Sequence, residues 1–154
     1  LICDAETIGM RFGVVGGYSP NPRLDSIINS VYHDGVNKGT ITLNNGANKR
    51  AVLGMNDLCK SVEALINLKG ARSIYNIASF SCSINKIGNE VAEITKSKVA
   101  YSDNDNNYSF EMNCDRINSI VRMTDTIESI CNDMGDMPTK DKTIFNRNTN
   151  LFKY

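Results

Sequence analysis

Short apolar runs alternate with amphipathic stretches along most of this sequence, and that alternation limits the folds open to the chain. The clearest run extends from Ile8 to Gly16 and ends in glycines. Such an apolar run is typical of a buried strand in a parallel sheet. Shorter runs that we also interpret as strands lie at 40–43, 51–55, 74–78 and 99–101.

Between these runs, apolar residues recur at helical spacing. One predicted helix begins at Asp25 or Ser26, either of which is a suitable cap, and ends near Gly35. A stronger helical pattern begins after Asn56, which is its predicted cap, and a third begins after Ser83. Their predicted apolar faces are Ile27, Ile28, Val31 and Tyr32; then Leu58, Val62, Leu65 and Ile66; then Ile84, Ile87, Val91 and Ile94. Shorter helices are predicted around 115–121 and 124–133, so the chain as a whole is predicted to be α/β.

The remaining segments are predicted as connections. Two prolines make 18–23 a loop, and 103–107 is a polar loop. The polar segment 138–154 is predicted to be an extended or partly ordered tail.

Composition and charge exclude several classes of function. The 154 residues are 41% hydrophobic and 22% charged, as in an ordinary globular domain. Seventeen basic residues balance seventeen acidic ones, which argues against nucleic acid or an anionic membrane as a partner. No apolar run approaches the roughly 20 residues that span a bilayer.

The cysteines and the single histidine do not form a metal-binding pattern. The five cysteines are far apart in the sequence and include no Cys-x-x-Cys pair. His33 lies on a polar helix end, where a surface role is a simpler interpretation than a catalytic base. We therefore expect no metal site, reduced thiols and a cytoplasmic setting.

Four segments, taken in order, resemble one family. They are Met10-Arg-Phe-Gly-Val-Val-Gly-Gly-Tyr-Ser-Pro, Lys49-Arg-Ala-Val-Leu-Gly-Met-Asn-Asp-Leu, Tyr75-Asn-Ile-Ala-Ser and Ser83-Ile-Asn-Lys-Ile-Gly-Asn-Glu-Val-Ala. Their order and spacing over roughly residues 8–132 resemble the second half of the extended short-chain dehydrogenases that act on nucleotide sugars. The resemblance implies an NAD-dependent epimerase or dehydratase of carbohydrate metabolism, whose substrate is a nucleotide-diphosphate sugar.

The resemblance also implies a domain organisation. Residues 1–82 would be the last part of a Rossmann-type NAD-binding domain with a parallel sheet, interrupted by substrate-binding segments at about 23–48. Residues 83–137 would be the small C-terminal substrate-binding domain, and 138–154 the tail.

The catalytic elements of that family are missing from this sequence. None of the tyrosines, at 18, 32, 75, 101, 108 and 154, is followed by lysine four residues later. The glycines at 13, 16 and 17 are not followed by the helix of a dinucleotide-binding turn. We therefore expect no catalytic residue here, and NAD held mainly by polypeptide outside this chain.

Three interpretations of that absence remain open. The chain, which begins at Leu1, is expected to be part of a longer enzyme whose N-terminal Rossmann portion precedes it. Alternatively, a partner chain supplies that portion, or the chain is a non-catalytic interaction or structural module. Relatives of this kind form dimers, so a homodimer is also considered.

The resemblance singles out seven residues as a candidate site. Arg50 is expected to contact the diphosphate; its alternative is a surface ion pair with Asp57. The other expected substrate contacts are Arg23, Asp25, Asn29 and Thr42, the last in a strand that would lie along the nucleotide base. Asp25 is as well explained as a helix cap, and Arg23 as a surface charge. Phe12 and Gly13 would approach the cofactor, with simple strand packing as their alternative.

The sequence also departs from the family pattern. Val14 and Gly54 stand where relatives have polar side chains, and the run 105–108 lacks an arginine that relatives direct at the diphosphate. Either the substrate differs from the usual one, or the site has decayed.

Overall fold

The computed structural model describes residues 7–19, 22–69, 73–102 and 108–135. Strands and helices alternate through these ranges. In chain order they are β1 (Gly9–Phe12), β2 (Val14–Gly16), α1 (Ile27–Lys38), β3 (Thr40–Asn44), β4 (Lys49–Gly54), α2 (Met55–Asn67), β5 (Ile74–Ile77), β6 (Phe80–Ser83), α3 (Ile84–Thr95), β7 (Lys98–Ser102), α4 (Asp115–Asn118) and α5 (Ile127–Met134). The predicted α/β class is confirmed.

Parallel pairing dominates the sheets of the described chain. β1 pairs with β5, β2 with β4, and β3 with β7, each in parallel. β6 is antiparallel to β4, so β4 is the central strand of the order β2-β4-β6.

The run from Ile8 to Gly16 was predicted as one buried strand, and that prediction is wrong in two respects. The strand is interrupted at Gly13, which separates β1 from β2, and these two strands pair with different partners. A side chain at Gly13 would bring its Cβ to 2.8 Å from the Ala51 carbonyl oxygen, so close backbone packing requires glycine there. β1 is also largely exposed, since Met10 and Phe12 are 40% and 43% accessible.

Helix starts were predicted with mixed success. Ser83 caps α3 as expected, because its hydroxyl accepts from the Lys86 N–H. α2 begins at Met55 with Gly54 as its N-cap, so the prediction of Asn56 as cap is wrong. α1 continues past Gly35 to Lys38 and ends at Gly39, whose φ of +64° suits a residue without a side chain.

β6 was not predicted. Its sequence, Phe-Ser-Cys-Ser, carries only a weak strand pattern, and it is formed because β4 offers it an antiparallel edge. In this register Arg50 stands opposite Cys82.

The described residues form two apolar clusters that meet at β4. One contains α1, β3, α3 and α5 residues such as Ile28, Leu43 and Ile87, and it includes Val52. The other contains Tyr75, Ile77, Ile117 and neighbours, and it includes Ala51 and Leu53. Because side chains alternate along a strand, β4 supplies both clusters. The division into domains at residues 82 and 137 stays a prediction.

Asp57 ties the start of α2 to the segment before α5. It is fully buried, and its carboxylate accepts from the main-chain N–H groups of Thr124 and Asp125 at 2.8–3.0 Å. In return the Asp57 N–H donates to Asp125 Oδ2 at 2.8 Å. A Cβ at Gly54 would approach that same oxygen at 2.2 Å, so the glycine leaves room for the Asp125 carboxylate.

The two edges of the β1–β5 pair differ. The Ser73 and Ile77 carbonyls accept from β1, so the Ile74 carbonyl faces the opposite edge. There it accepts from Arg116 Nη1 at 2.8 Å, and the Asn76 side chain donates to the Asn113 carbonyl at 3.0 Å. The outer edge of β5 is thus covered, whereas no other strand in the described ranges pairs with β1.

Two predicted segments, the polar loop at 103–107 and the tail at 138–154, lie outside the described residues. Within the described ranges, no helix combines the length and apolar character that a bilayer crossing requires.

Candidate functional site

A cavity of about 1040 Å³ opens where β1 and β2 end and α1 begins. Six of the seven predicted site residues line it: Phe12, Gly13, Arg23, Asp25, Asn29 and Arg50. Thr42 does not. It lies on the outward face of β3, and whether it contacts a nucleotide base stays a prediction.

Arg50 is held at the cavity by groups that leave its charge intact. Its Nη1 donates to the main-chain oxygens of Lys49, at 2.8 Å, and Tyr108. Its guanidinium carbon also lies 5.1 Å from the centre of the Tyr108 ring, within range of a cation–π contact. The alternative interpretation, an ion pair with Asp57, is wrong because Asp57 is buried and bound to Thr124 and Asp125.

Tyr108 was not identified as a site residue from the sequence. Its ring lies nearly parallel to that of Phe110, with centroids 6.2 Å apart, and both rings line the cavity. Tyr108 ends the run 105–108, which the family resemblance associated with the diphosphate only through an arginine that this chain lacks. The fold, and not that resemblance, brings the tyrosine ring beside Arg50.

Arg23 and Asp25 form an ion pair at the mouth of the cavity. Arg23 Nε donates to Asp25 Oδ1 at 2.9 Å, and the Arg23 side chain is 80% exposed. The hydrogen bond and the charge of Asp25 raise the pKa of Arg23, and the two opposite charges lie side by side. Arg50 is therefore the one lining charge, among the described residues, without an opposite charge beside it.

Two polar side chains at the start of α1 each have an oxygen without a hydrogen-bond partner among the described residues. Asn29, only 5% exposed, donates from Nδ2 to the Arg23 main-chain oxygen at 3.1 Å. Its Oδ1 finds no partner among the described residues, and neither does the hydroxyl of Ser26, which is 8% exposed. Ser26 is the N-cap of α1 yet makes no capping hydrogen bond. Sequence reasoning singled out Asn29 but considered Ser26 only as a cap.

The loop after β2 is fixed by α5. The Tyr18 N–H donates to Asp133 Oδ2 at 2.8 Å. Gly17, with φ of +131°, lies so close that a Cβ there would stand 2.6 Å from the same oxygen. These contacts with Asp133 fix the backbone at Gly17 and Tyr18 along one side of the cavity, and no sequence motif indicated them.

The rest of the lining is mostly apolar. Val14, Val15, Met55, Ile84 and Phe110 all contribute to it. The departure at Val14 thus lies in the cavity wall itself, where a valine side chain offers a ligand no hydrogen bond.

The buried cysteines and the histidine are poorly placed for chemistry at this cavity. Burial raises the pKa of the Cys131 thiol to about 12, and it also raises the pKa values of Cys82 and Cys114, which disfavours thiolate nucleophiles. His33 lies beside Asp34 on α1, outside the cavity lining. Across the described chain, no three His, Cys, Asp or Glu side chains converge as a metal site would require.

Three solved structures that share this fold each contain NAD or NADPH. A dTDP-glucose 4,6-dehydratase from Bacillus anthracis in complex with NAD is 14% identical, with a TM-score of 0.65 over 80% of this chain. A UDP-glucuronic acid 4-epimerase from Bacillus cereus in complex with UDP-glucuronic acid and NAD has the same identity, coverage and TM-score. RMD from Pseudomonas aeruginosa complexed with NADPH is 13% identical, with a TM-score of 0.69 over 84% of this chain.

The chain shares the fold of nucleotide-sugar dehydratases and epimerases. The chain spans less than half the length of each of the three proteins named above: 42% of the dehydratase, 42% of the epimerase and 47% of RMD. Neither a protein-family model nor a curated protein sequence matches it.

Proposed function

We propose that the cavity binds a nucleoside-diphosphate sugar, and that the chain is the substrate-binding portion of an NAD-dependent nucleotide-sugar epimerase or dehydratase. Arg50 contacts the diphosphate, while Arg23, Asp25 and Asn29 line the part of the cavity next to the sugar. Thr42 is kept as a proposed contact to the base from the neighbouring strand β3.

The uncompensated charge of Arg50 is the observation that carries this proposal. Carbonyl oxygens and a tyrosine ring hold the guanidinium without neutralising it, and Nη1 alone makes its hydrogen bonds to the described protein. The Nη2 and Nε groups remain for a ligand, and a planar guanidinium suits two oxygens of a phosphate.

The test is the affinity of the chain for UDP and dTDP, measured by titration calorimetry. Arg50→Ala should weaken binding about ten- to hundredfold, since hydrogen bonds to charged groups contribute about 1.5–3 kcal/mol. Arg50→Lys should recover only part of the loss, because an ammonium keeps the charge but not the planar arrangement of donors.

Arg122→Ala is the matched control, because Arg122 is an exposed arginine outside the cavity lining. Its affinity should equal that of the unchanged chain. If neither nucleotide binds, or if Arg50→Ala and Arg122→Ala behave alike, the proposal is wrong.

The residues present do not fit a whole dinucleotide cofactor. Phe12 and Gly13 line the cavity, but packing against Ala51 already accounts for the glycine. The sequence also lacks a glycine-rich turn leading into a helix. We therefore propose that NAD is bound mainly outside this chain, and we derive no reaction step through it.

The open edge of β1 supports the proposal that further polypeptide completes this sheet. On the side away from β5, no strand of the described ranges pairs with β1, and this edge together with the exposed Met10 and Phe12 suits further parallel strands. The favoured source is a preceding part of the same polypeptide; a partner chain, or a binding partner of a non-catalytic module, is the alternative. The coding sequence upstream of Leu1 decides between them, since the favoured version requires a glycine-rich strand–turn–helix and a Tyr-x-x-x-Lys in frame.

A further inference from the structure

We propose that Ser26 and Asn29 form a subsite that accepts hydrogen bonds from the sugar of the ligand, and that this subsite favours a neutral sugar over an acidic one. The inference rests on the proposed function, because it takes the cavity to hold a nucleoside-diphosphate sugar. It assigns to two residues a role that the diphosphate contact at Arg50 does not cover.

The orientation of the Asn29 side chain determines which atom of its amide has no hydrogen-bond partner. Nδ2 faces the Arg23 carbonyl, which can only accept, so Oδ1 must be the group without a partner. A buried acceptor without a donor costs the folded chain free energy. A ligand that brings a donor removes that cost.

Ser26 adds a second unused group on the same turn. Residues three apart share a helix face, so Ser26 and Asn29 are neighbours at the start of α1, and both line the cavity. An N-cap serine normally accepts from the N–H two or three residues on, but this one does not. Its hydroxyl is therefore not needed by the helix.

The approach to this subsite is narrow. Gly16 packs against it, since a Cβ there would stand 2.4 Å from Ile28 and 3.4 Å from Asn29 Oδ1. Both unpartnered oxygens are shielded from solvent in the ligand-free chain. A ligand donor must therefore be met by a side-chain rotation. The serine hydroxyl turns at little cost, whereas a rotation of Asn29 exchanges its bond to the Arg23 carbonyl for contacts with the ligand.

The chemistry of the subsite selects the ligand group. A sugar hydroxyl or an acetamido N–H can donate to Oδ1, whereas a carboxylate can only accept. The subsite thus discriminates against a uronic acid whose carboxylate, rather than one of its hydroxyls, faces Ser26 and Asn29.

The test compares UDP, UDP-glucose and UDP-glucuronic acid by calorimetry, with the dTDP and dTDP-glucose pair in parallel. Asn29→Leu and Ser26→Ala should each weaken UDP-glucose binding by about three- to tenfold and leave UDP binding unchanged. The unchanged chain should prefer UDP-glucose to UDP-glucuronic acid, and Asn29→Leu should narrow that preference.

Thermal unfolding separates this role from a structural one. Replacing an N-cap serine ordinarily lowers stability. Ser26→Ala should not lower the melting temperature, because no capping bond is lost. Asn118→Leu, at an exposed asparagine outside the cavity lining, is the control for the asparagine change.

The outcomes distinguish this inference from the proposal on which it rests. If UDP binding depends on Arg50 while both variants bind UDP-glucose like the unchanged chain, only the subsite is refuted. If both variants lose UDP and UDP-glucose affinity equally, the subsite is again refuted. If no nucleotide binds the unchanged chain, the proposed function fails and the subsite with it.

Discussion

At the scale of single residues, the neighbours of a side chain in the folded protein decide whether its charge is neutralised, and composition does not. Arg23 and Arg50 are both near the cavity, yet one is neutralised by Asp25 and the other is held by carbonyl oxygens and a ring. The sequence could nominate both arginines through a family resemblance. It could not rank them by free charge, because that depends on Tyr108, which is 58 residues away in the chain.

The buried carboxylate of Asp57 leads to a prediction about acid stability. Burial alone would raise its pKa, but the hydrogen bonds from Asp125 and Thr124 outweigh burial, so the pKa lies below its ordinary value of 3.8. Its contribution is therefore fully present above that ordinary value and is lost as pH falls through the lowered folded pKa.

Asp57→Asn should lower the free energy of unfolding at neutral pH by about 2–3 kcal/mol, because an amide nitrogen would face main-chain donors. It should also flatten the acid side of the stability curve. Urea unfolding between pH 7 and pH 2 measures both effects. An unchanged acid limb in the variant would mean that other carboxylates cause the acid loss.

At the scale of elements, periodicity predicted where the helices lie better than where the strands lie, but it did not predict every buried face. Of the α2 residues predicted to be its apolar face, only Leu65 is buried, and Ile66 is 75% exposed. The apolar face of α3 was predicted correctly at Ile84, Ile87 and Val91, although Ile94 is partly exposed. β6 and the break at Gly13 were missed, because both depend on a neighbour in space: β4 for the strand, and the Ala51 carbonyl for the glycine.

The contact between α3 and β3 is close enough to test by adding one carbon. A Cβ at Gly88 would lie 2.4 Å from Leu43 Cδ1 and 2.9 Å from its Cγ, and Leu43 is only 1% exposed. Alanine ordinarily stabilises a helix interior by about 0.5–1 kcal/mol relative to glycine. Gly88→Ala should instead destabilise by about 1–2 kcal/mol, because overpacking a core costs more.

A double-mutant cycle by chemical denaturation checks the cause. In the Leu43→Ala background the clash is removed, so Gly88→Ala should become neutral or stabilising. A penalty that persists in that background would place the strain somewhere other than Leu43.

At the scale of the whole molecule, β4 connects the two apolar clusters. Val52 faces one cluster while Ala51 and Leu53 face the other, and all three are fully buried. A resemblance could suggest two domains, but no sequence pattern shows that they share a strand. We expect the described part of the chain to unfold in one cooperative step, because neither cluster can lose β4 alone.

Val52→Ala tests this expectation. It should lower the opening free energies of α3 and β5 amides alike, by about 2 kcal/mol, although Val52 belongs only to the α3 cluster. Native-state hydrogen exchange measures the two sets of amides separately. A loss confined to α3 would show that the clusters open independently.

The covered outer edge of β5 has a consequence for self-association. With Arg116 occupying the Ile74 carbonyl on one side, the β1–β5 sheet can grow in a single direction only. Two copies that met through β1 would each use up their one available edge, and the assembly would stop at a pair. An isolated chain with an exposed strand is thereby protected from stacking into an open-ended fibre through this sheet.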